Sequence, residues 1–278
     1  MFILKRWIHV LSITFLITGI TYITNSVKLS ALSQKSAPLI KGRYAVVLDA
    51  TTGEVLYEKD ANVPAAPASL AKLMTALLVM EKVRPNEEIA ITQHARNTED
   101  GSAKISLRVG ETLKRDEAIK LLLTISVDYV AESIAEHISG SGKGFAALMN
   151  ERARELGIQA TFHNASGADG KHHHASAHDL AVIAKEVIRY PAVLSAMHSV
   201  STTVQTSAQY IEIHNNGRKE LYQDPHAIAS KSGHTKRAGY TLVTVDEKNG
   251  RRIITVVLQS NKENAYKDAQ KITTYVLD

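Results

Sequence analysis

Between Leu70 and Met80 apolar residues occupy nearly every side of a predicted helix. Leu70, Leu73, Met74, Leu77 and Leu78 keep the i, i+3, i+4, i+7 spacing, and Ala71, Ala76 and Val79 fill the other faces. A helix of that kind belongs inside a domain. Before it, Tyr44 to Asp49 and Glu54 to Glu58 read as strands joined at Thr51-Thr52-Gly53, a hairpin. From Pro85 to about Pro191 the period is largely helical. Ile105 to Val109 reads as a short extended piece, and Thr112 as the cap of a helix in which Ala118, Leu121, Leu122 and Ile125 share a face. Helices follow from about Val130 to Ile138, Gly144 to Leu156 and Asp179 to Ile188, the last stopping before Pro191. Strands then return at Val200–Val204, Tyr210–His214, Ala227–Lys231, Tyr240–Val245 and Arg252–Gln259. Asn249-Gly250 marks a hairpin turn, and a closing helix runs from about Asn264 to Val276. Strands, an inserted helical lobe at about 85–195 and strands again predict an α/β (α+β) fold with a largely antiparallel sheet.

Ahead of this body, Lys5 and Arg6 precede a mostly apolar run from Trp7 to Ile23, followed by a polar linker. Residues 1–36 therefore read as a signal peptide or an N-terminal membrane anchor. The run approaches the roughly 17–25 residues that span a bilayer, and Leu29-Ser30-Ala31 is a poor cleavage site, so both readings stay open. Residues 37–278 form the second unit, ample for a core. The formal charge is +5, and residues 1–40 hold four bases and no acid, leaving the remainder at +1. A body so nearly neutral, without interleaved basic and aromatic residues, points away from nucleic acid. There are no cysteines, which excludes disulfides, a thiol nucleophile and cysteine-ligated metals.

The central helix opens on Ser69-Leu70-Ala71-Lys72. Residues three apart share a helix face, so the Lys72 amine can lie against the Ser69 hydroxyl. A lysine on so apolar a helix must be paired or have a lowered pKa. A serine beside an amine that can become neutral is an activated nucleophile. Alone, the pattern is weak, because a serine before an apolar run is commonly an N-cap. Two further motifs strengthen it. Ser126-Val127-Asp128 falls between two helices, and Lys231-Ser232-Gly233-His234-Thr235 falls on a predicted strand before a hairpin partner. Ser-x-x-Lys, Ser-Asp-Asn and Lys-Thr-Gly, in that order, are the marks of penicillin-binding proteins and class A β-lactamases.

With these residues the chain resembles the serine-type D-alanyl-D-alanine carboxypeptidases, the low-molecular-mass penicillin-binding proteins. The resemblance covers about residues 40–278. It rests on Ala68 to Ala76, on Met149-Asn150 to Gly157, Asn164, Gly167 and Ser176 to Ala181, and on Lys231 to Thr235 with Ala238-Gly239-Tyr240. The resemblance implies a β-lactamase/transpeptidase-like fold and no cofactor or metal. Its substrate is a peptidoglycan stem peptide ending in D-Ala-D-Ala, and β-lactams are covalent inhibitors. Ser69 would attack the penultimate carbonyl to form an acyl-enzyme, Lys72 would take its proton, and Ser126 would relay a proton to the leaving amine. Lys231, with Ser232, would hold the terminal carboxylate, along the strand that carries Gly233, His234 and Thr235. The backbone N–H groups of Ser69 and His234 would form the oxyanion hole. Lys231 and burial together would lower the Lys72 pKa.

Three positions depart from the pattern. Ser232 replaces the usual threonine and keeps the hydroxyl. Tyr129-Val130 replaces Asp-Ala, which predicts a reshaped loop. Asp128 replaces the usual asparagine, exchanging an N–H donor for acceptors and a negative charge. It would hold Lys72 or Lys231 as ammonium, repel a carboxylate and weaken turnover. Two alternatives follow: a DD-endopeptidase that cuts cross-links, or a catalytically weak penicillin-binding, muropeptide-sensing protein. A β-lactamase is disfavoured, since the loop after Asn164 offers no clear Glu-x-x-x-Asn. His172-His173-His174 reads as a solvated loop rather than a metal site, Arg237 as exposed, and His234 as a residue used through its backbone. The whole predicts an exported, extracytoplasmic enzyme, held at the membrane through its N-terminal segment if that segment is retained.

Overall fold

The computed structural model describes residues 36–98, 105–219 and 223–278. The apolar run from Trp7 to Ile23 lies outside them. Among the described residues no helix is long and apolar enough to cross a membrane. Residues 40–278 form one compact unit.

Five strands make the main sheet: β1 (Tyr44–Asp49), β2 (Val55–Lys59), β7 (Ala227–Thr235), β8 (Gly239–Lys248) and β9 (Arg251–Ser260). Their order is β2-β1-β9-β8-β7, with every neighbouring pair antiparallel. Alternation along the strands serves two cores. Val46, Leu48, Val243, Val245, Ile254, Val256 and Leu258 face the larger one. Ala45, Val47, Leu242, Ile253 and Val257 face a smaller one under the closing helix α8 (Ala265–Leu277). A sheet covered on both faces requires apolar residues at successive positions, which is why β1 and β9 read as continuous apolar runs. Asn249 and Gly250 have φ of 53° and 78°, the left-handed pair that a two-residue hairpin between β8 and β9 needs.

The central helix α1 (Lys72–Lys82) is buried from Lys72 to Val79. Around it pack α3 (Arg115–Thr124), α4 (Asp128–Ser139), α5 (Gly142–Glu155) and α6 (Ala177–Val187). The last also lies against β1 and β9. A capping box opens α6, with Ser176 and Asp179 satisfying each other's backbone N–H groups.

Several boundaries differ from the sequence expectation. The central helix does not open on Ser69, which sits inside a 3₁₀ turn, Ala68–Ala71, that precedes α1. Thr112 caps nothing, because it lies in a short strand β4 (Thr112–Lys114) paired with β3 (Glu88–Ala90). Residues 105–108 make no strand. The helical pattern resumes after the expected stop: α7 (Pro191–His198) starts on Pro191, which is tolerated at a first helical position because its missing N–H would be unpaired there anyway. A four-residue helix, α2 (Gln93–Arg96), was also not predicted. The strands β5 (Ser201–Gln205) and β6 (Tyr210–His214) pair with each other in a separate two-stranded sheet.

Candidate active site

One cleft of about 440 Å³ is lined by Ser69, Ser126, Asp128 and the whole run from Lys231 to Thr235. It lies where the turn before α1, the start of α4 and strand β7 meet. The three motifs are thus together, on a 3₁₀ turn, a helix–helix junction and an edge strand.

Two residues are held in left-handed backbone conformations unusual for non-glycine residues: Ala68 at φ 49° and Ser126 at φ 65°. Each places a serine in the cleft, Ser69 directly after Ala68 and Ser126 itself. Strain of this kind persists only where the surroundings over-determine it. Around Ala68 they do. A Cβ on Gly167 would collide with the Ala68 carbonyl, and one on Gly233 would stand 2.8 Å from the Ser69 nitrogen. Glycine at both positions lets the backbone of β7 and of the loop after Asn164 close on the turn that carries Ser69.

Lys72 is fully buried. Its Nζ donates to Ser69 Oγ at 3.2 Å, to the Ser166 carbonyl at 2.6 Å and to Asp128 Oδ1 at 2.5 Å. An ammonium has three donors, and these acceptors match them. The carboxylate favours the charged form of the amine, which also donates to Ser69. Lys231 is also buried. It donates to Ser126 Oγ at 3.0 Å and to the Ser232 carbonyl at 2.6 Å. Burial, followed by the positive charges of Lys72 and Arg218, pushes its pKa well below the ordinary lysine range; Asp128 pulls the other way. The expectation placed lowering by burial and repulsion at Lys72; here that lowering falls on Lys231, while Lys72 carries the ion pair with Asp128.

Sequence reasoning missed several contributors. Ser166 supplies the carbonyl that anchors Lys72, and one turn along α1 the Thr75 hydroxyl donates to the Ala165 carbonyl at 2.7 Å. Asn164, already among the residues that carry the resemblance, organises this loop by accepting from the Gly167 N–H at 2.7 Å and donating to the Ala168 carbonyl at 3.0 Å. Glu132, a turn beyond Asp128, stands near the same residues. Burial raises its pKa against hydrogen bonds from Ser166 and the charge of Lys72. On the opposite wall His214, Asn215 and Arg218 line the cleft. Arg218 is buried and donates to the carbonyls of Leu123 at 2.6 Å, Ala196 at 2.6 Å and Ser199 at 2.9 Å. Asn215 donates to the Thr124 carbonyl at 2.5 Å. These satisfy carbonyls that the ends of α3 and α7 leave without helical partners. Only the Asn-Asn-Gly-Arg run marks the segment in sequence, and it has no period to reveal its contacts.

The remaining expectations fall into place locally. Tyr129 is buried; its hydroxyl accepts from the Leu107 N–H at 3.2 Å and donates to the Ile105 carbonyl at 3.3 Å, so it ties the start of α4 to the 105–107 segment. The His234 ring packs on Tyr240, centroids 4.4 Å apart. Arg237 is exposed, with its guanidinium donating to the Gly170 carbonyl. The histidine run is not uniformly solvated: His172 is exposed, but His173 is buried edge-on against Phe162, and neither of its ring nitrogens has a hydrogen-bond partner. Among the described residues no cluster of three ligating side chains could hold a metal.

A family model described as D-alanyl-D-alanine carboxypeptidase matches residues 31–262. The carboxypeptidase DacF of Bacillus subtilis is 32% identical over 78% of this chain, which spans 57% of that protein's length. The D-alanyl-D-alanine endopeptidase of Escherichia coli is 26% identical over 90% of this chain and 81% of its own. Among solved structures, a D-alanyl-D-alanine carboxypeptidase of Mycobacterium tuberculosis superposes with a TM-score of 0.80 at 24% identity, covering 87% of this chain and 92% of its own. Penicillin-binding protein D2 of Listeria monocytogenes, in its cefotaxime-bound form, gives 0.75 at 28% identity and covers 88% of this chain and all of its own. The expected penicillin-binding fold is therefore the observed one. The family match begins ahead of β1 and ends past β9, so it takes in every element that borders the cleft, and the chain belongs to the D-alanyl-D-alanine carboxypeptidase family.

Proposed function

We propose that this protein is a serine-type D-Ala-D-Ala carboxypeptidase that trims peptidoglycan stem peptides. The observation that carries this reading is the 3.2 Å approach of Lys72 Nζ to Ser69 Oγ, with Lys231 and Ser126 paired in the same cleft. A substrate's terminal carboxylate is drawn to the Lys231 end, beside Ser232 and Thr235. That places the penultimate carbonyl over Ser69. The Ser69 oxygen attacks this carbonyl as its proton passes to Lys72, which must first have given one up. The backbone N–H groups of Ser69 and His234 face the developing oxyanion; losing one such donor typically slows chemistry about 10²–10³-fold. Ser126 then passes a proton to the departing amine of D-Ala. Water hydrolyses the ester and returns Ser69 to its hydroxyl form. A β-lactam acylates the same serine.

The Lys72–Asp128 pair favours a second reading within this frame: binding and acylation with slow turnover, as in a penicillin-binding sensor. Incubation with a stem pentapeptide, following free D-Ala, and labelling with fluorescent penicillin separate the two. Carboxypeptidase action releases D-Ala and labels Ser69. A sensor labels without releasing D-Ala, and absence of both sinks the proposal. A cross-linked dimer as substrate tests the endopeptidase alternative. We assign residues 1–36 to export and residues 37–278 to the peptidase unit, because the basic pair and apolar run at the N-terminus have the order of an export segment. Fractionation of cells expressing the full chain tests that assignment; recovery in the cytoplasm contradicts it.

A further inference from the structure

Beside the cleft, one hydroxyl serves two functions. Thr235 closes the Lys231–Thr235 run that the proposed function gives to the substrate carboxylate. Its Oγ1 donates to Asp169 Oδ1 at 2.7 Å and accepts from the Ala238 N–H at 3.0 Å. Asp169 Oδ2 accepts from the Arg237 N–H at 3.3 Å. A threonine hydroxyl has a single proton to give. In the free protein that proton belongs to an internal carboxylate.

Asp169 does not reach this position by accident of a loose tip. Thr161 and His174 close the loop with reciprocal backbone bonds of 2.8 and 2.9 Å. His173 is buried against Phe162, and its N–H donates to the Gly170 carbonyl at 3.2 Å. The Arg237 guanidinium donates to the same carbonyl. Gly170 is thus held from both sides, and Asp169 directly before it is set onto the turn between β7 and β8. Ala168, its other neighbour, lines the cleft.

We infer that Asp169 is a specificity-determining residue: a resident carboxylate on the Thr235 hydroxyl that an incoming terminal carboxylate must displace. The inference rests on the reading of this cleft as a site for D-Ala-D-Ala ends. Asp169 lowers affinity for carboxylate-ended ligands relative to neutral ones and leaves the reacting atoms alone. Its own exposure and the solvent at the rim keep the effect modest, roughly three- to tenfold for two like charges a few ångströms apart near water.

The test uses the full chain with Ser69→Ala, so that ligands bind without reacting. Affinities of N-acetyl-D-Ala-D-Ala and of its C-terminal amide are measured with and without Asp169→Ala, at low and at 0.5 M salt. The expected result is a rise of about three- to tenfold in preference for the acid over the amide when Asp169 is removed, shrinking at high salt. Asp169→Asn, which can still accept the Thr235 proton, gives a smaller rise. A merely structural role shifts both ligands together and leaves the ratio constant; an unchanged or reduced ratio overturns the inference. Fluorescent penicillin labelling of Ser69 in the Asp169→Ala protein keeps the two readings apart. Labelling with an unmoved ratio removes only the role of Asp169, whereas no labelling and no acid preference in either protein removes both.

Discussion

Asp128 stands 2.5 Å from the Lys72 ammonium, closer to it than the Ser69 oxygen at 3.2 Å. The amine proposed to take the serine proton is thus paired with a carboxylate, at the position where the family pattern has asparagine. The carboxylate also places negative charge on the wall of a cleft proposed to receive a carboxylate.

Asp128→Asn removes that charge and restores a side chain able to donate as well as accept. Acylation of Ser69 by penicillin is expected to accelerate about tenfold or more, a change of roughly 1.4 kcal/mol per decade. The pH at which acylation reaches half its maximum should move down, because Lys72 then deprotonates more readily. Stopped-flow acylation from pH 5 to 9 measures both. A rate equal to or below that of the unchanged protein would show that Asp128 does not restrain the lysine.

Arg218 holds three carbonyls at the ends of α3 and α7, and Leu123 and Thr124 at the end of α3 line the cleft. Arg218→Ala leaves buried acceptors unsatisfied, a loss of about 2–4 kcal/mol. Arg218→Lys recovers little, because a single ammonium cannot reproduce a fork spread over three oxygens. Urea unfolding of both variants gives the values. A lysine variant as stable as the parent removes the clamp interpretation.

The strands and the long helices were legible because their residues repeat with the element's own period. The three motifs were legible because chemistry requires particular residue types in order. What could not be read was set by contacts across the fold. Thr112 looks like a cap until β3 supplies it with a strand partner. Ser166 enters through its carbonyl, which any residue could offer, and Arg218 through acceptors contributed by distant helix ends. His173 sits among two other histidines in sequence, and Phe162, brought alongside by the Thr161–His174 bridge, gives its ring an apolar partner.

Two buried titrating groups act against each other in acid. Burial first, then the charges of His163, His174 and Arg237, push the His173 pKa from 6.5 down to about 4, with Asp169 opposing. The native state prefers the neutral ring, so this stability is complete above pH 6.5 and is lost as pH falls toward 4. Asp246 is displaced upward from 3.8 to about 6, mainly by burial and then, after the opposing bond from Thr244, by the charge of Asp224; Thr273 and His226 pull it down. There the native state prefers the protonated acid, and stability is lost as pH rises through about 6. Each shift corresponds to about 3 kcal/mol at most. Asp246→Asn should therefore exceed the parent by about 1–3 kcal/mol at pH 7 and lose that margin near pH 4. His173→Phe should show its advantage near pH 4 and none at pH 7.5. Urea midpoints at three pH values decide; margins that do not change with pH contradict both assignments.

At Gly233 the backbone of the sheet meets the turn that carries Ser69. A methyl group there would stand 2.8 Å from the Ser69 nitrogen, 2.8 Å from Thr241 Oγ1 and 3.0 Å from the Ala68 Cβ. Two of these neighbours belong to the turn that carries Ser69, and Ala68 in that turn is already in a left-handed conformation. Thr241 cannot swing clear without giving up its bonds to the Pro67 and Gly233 carbonyls, at 3.3 and 3.2 Å. The added carbon must therefore push β7 and the turn apart. Displacing a reacting group by as little as 1 Å costs about 10²-fold in rate, while one overpacked methyl group costs about 1–3 kcal/mol of stability. Gly233→Ala is expected to fold, with a lower Tm, and to lose at least tenfold in penicillin acylation rate. Comparable labelling rates in a folded Gly233→Ala protein would mean that the closeness of β7 to Ser69 has no bearing on the chemistry, and the oxyanion geometry proposed for Ser69 and His234 would fall with it.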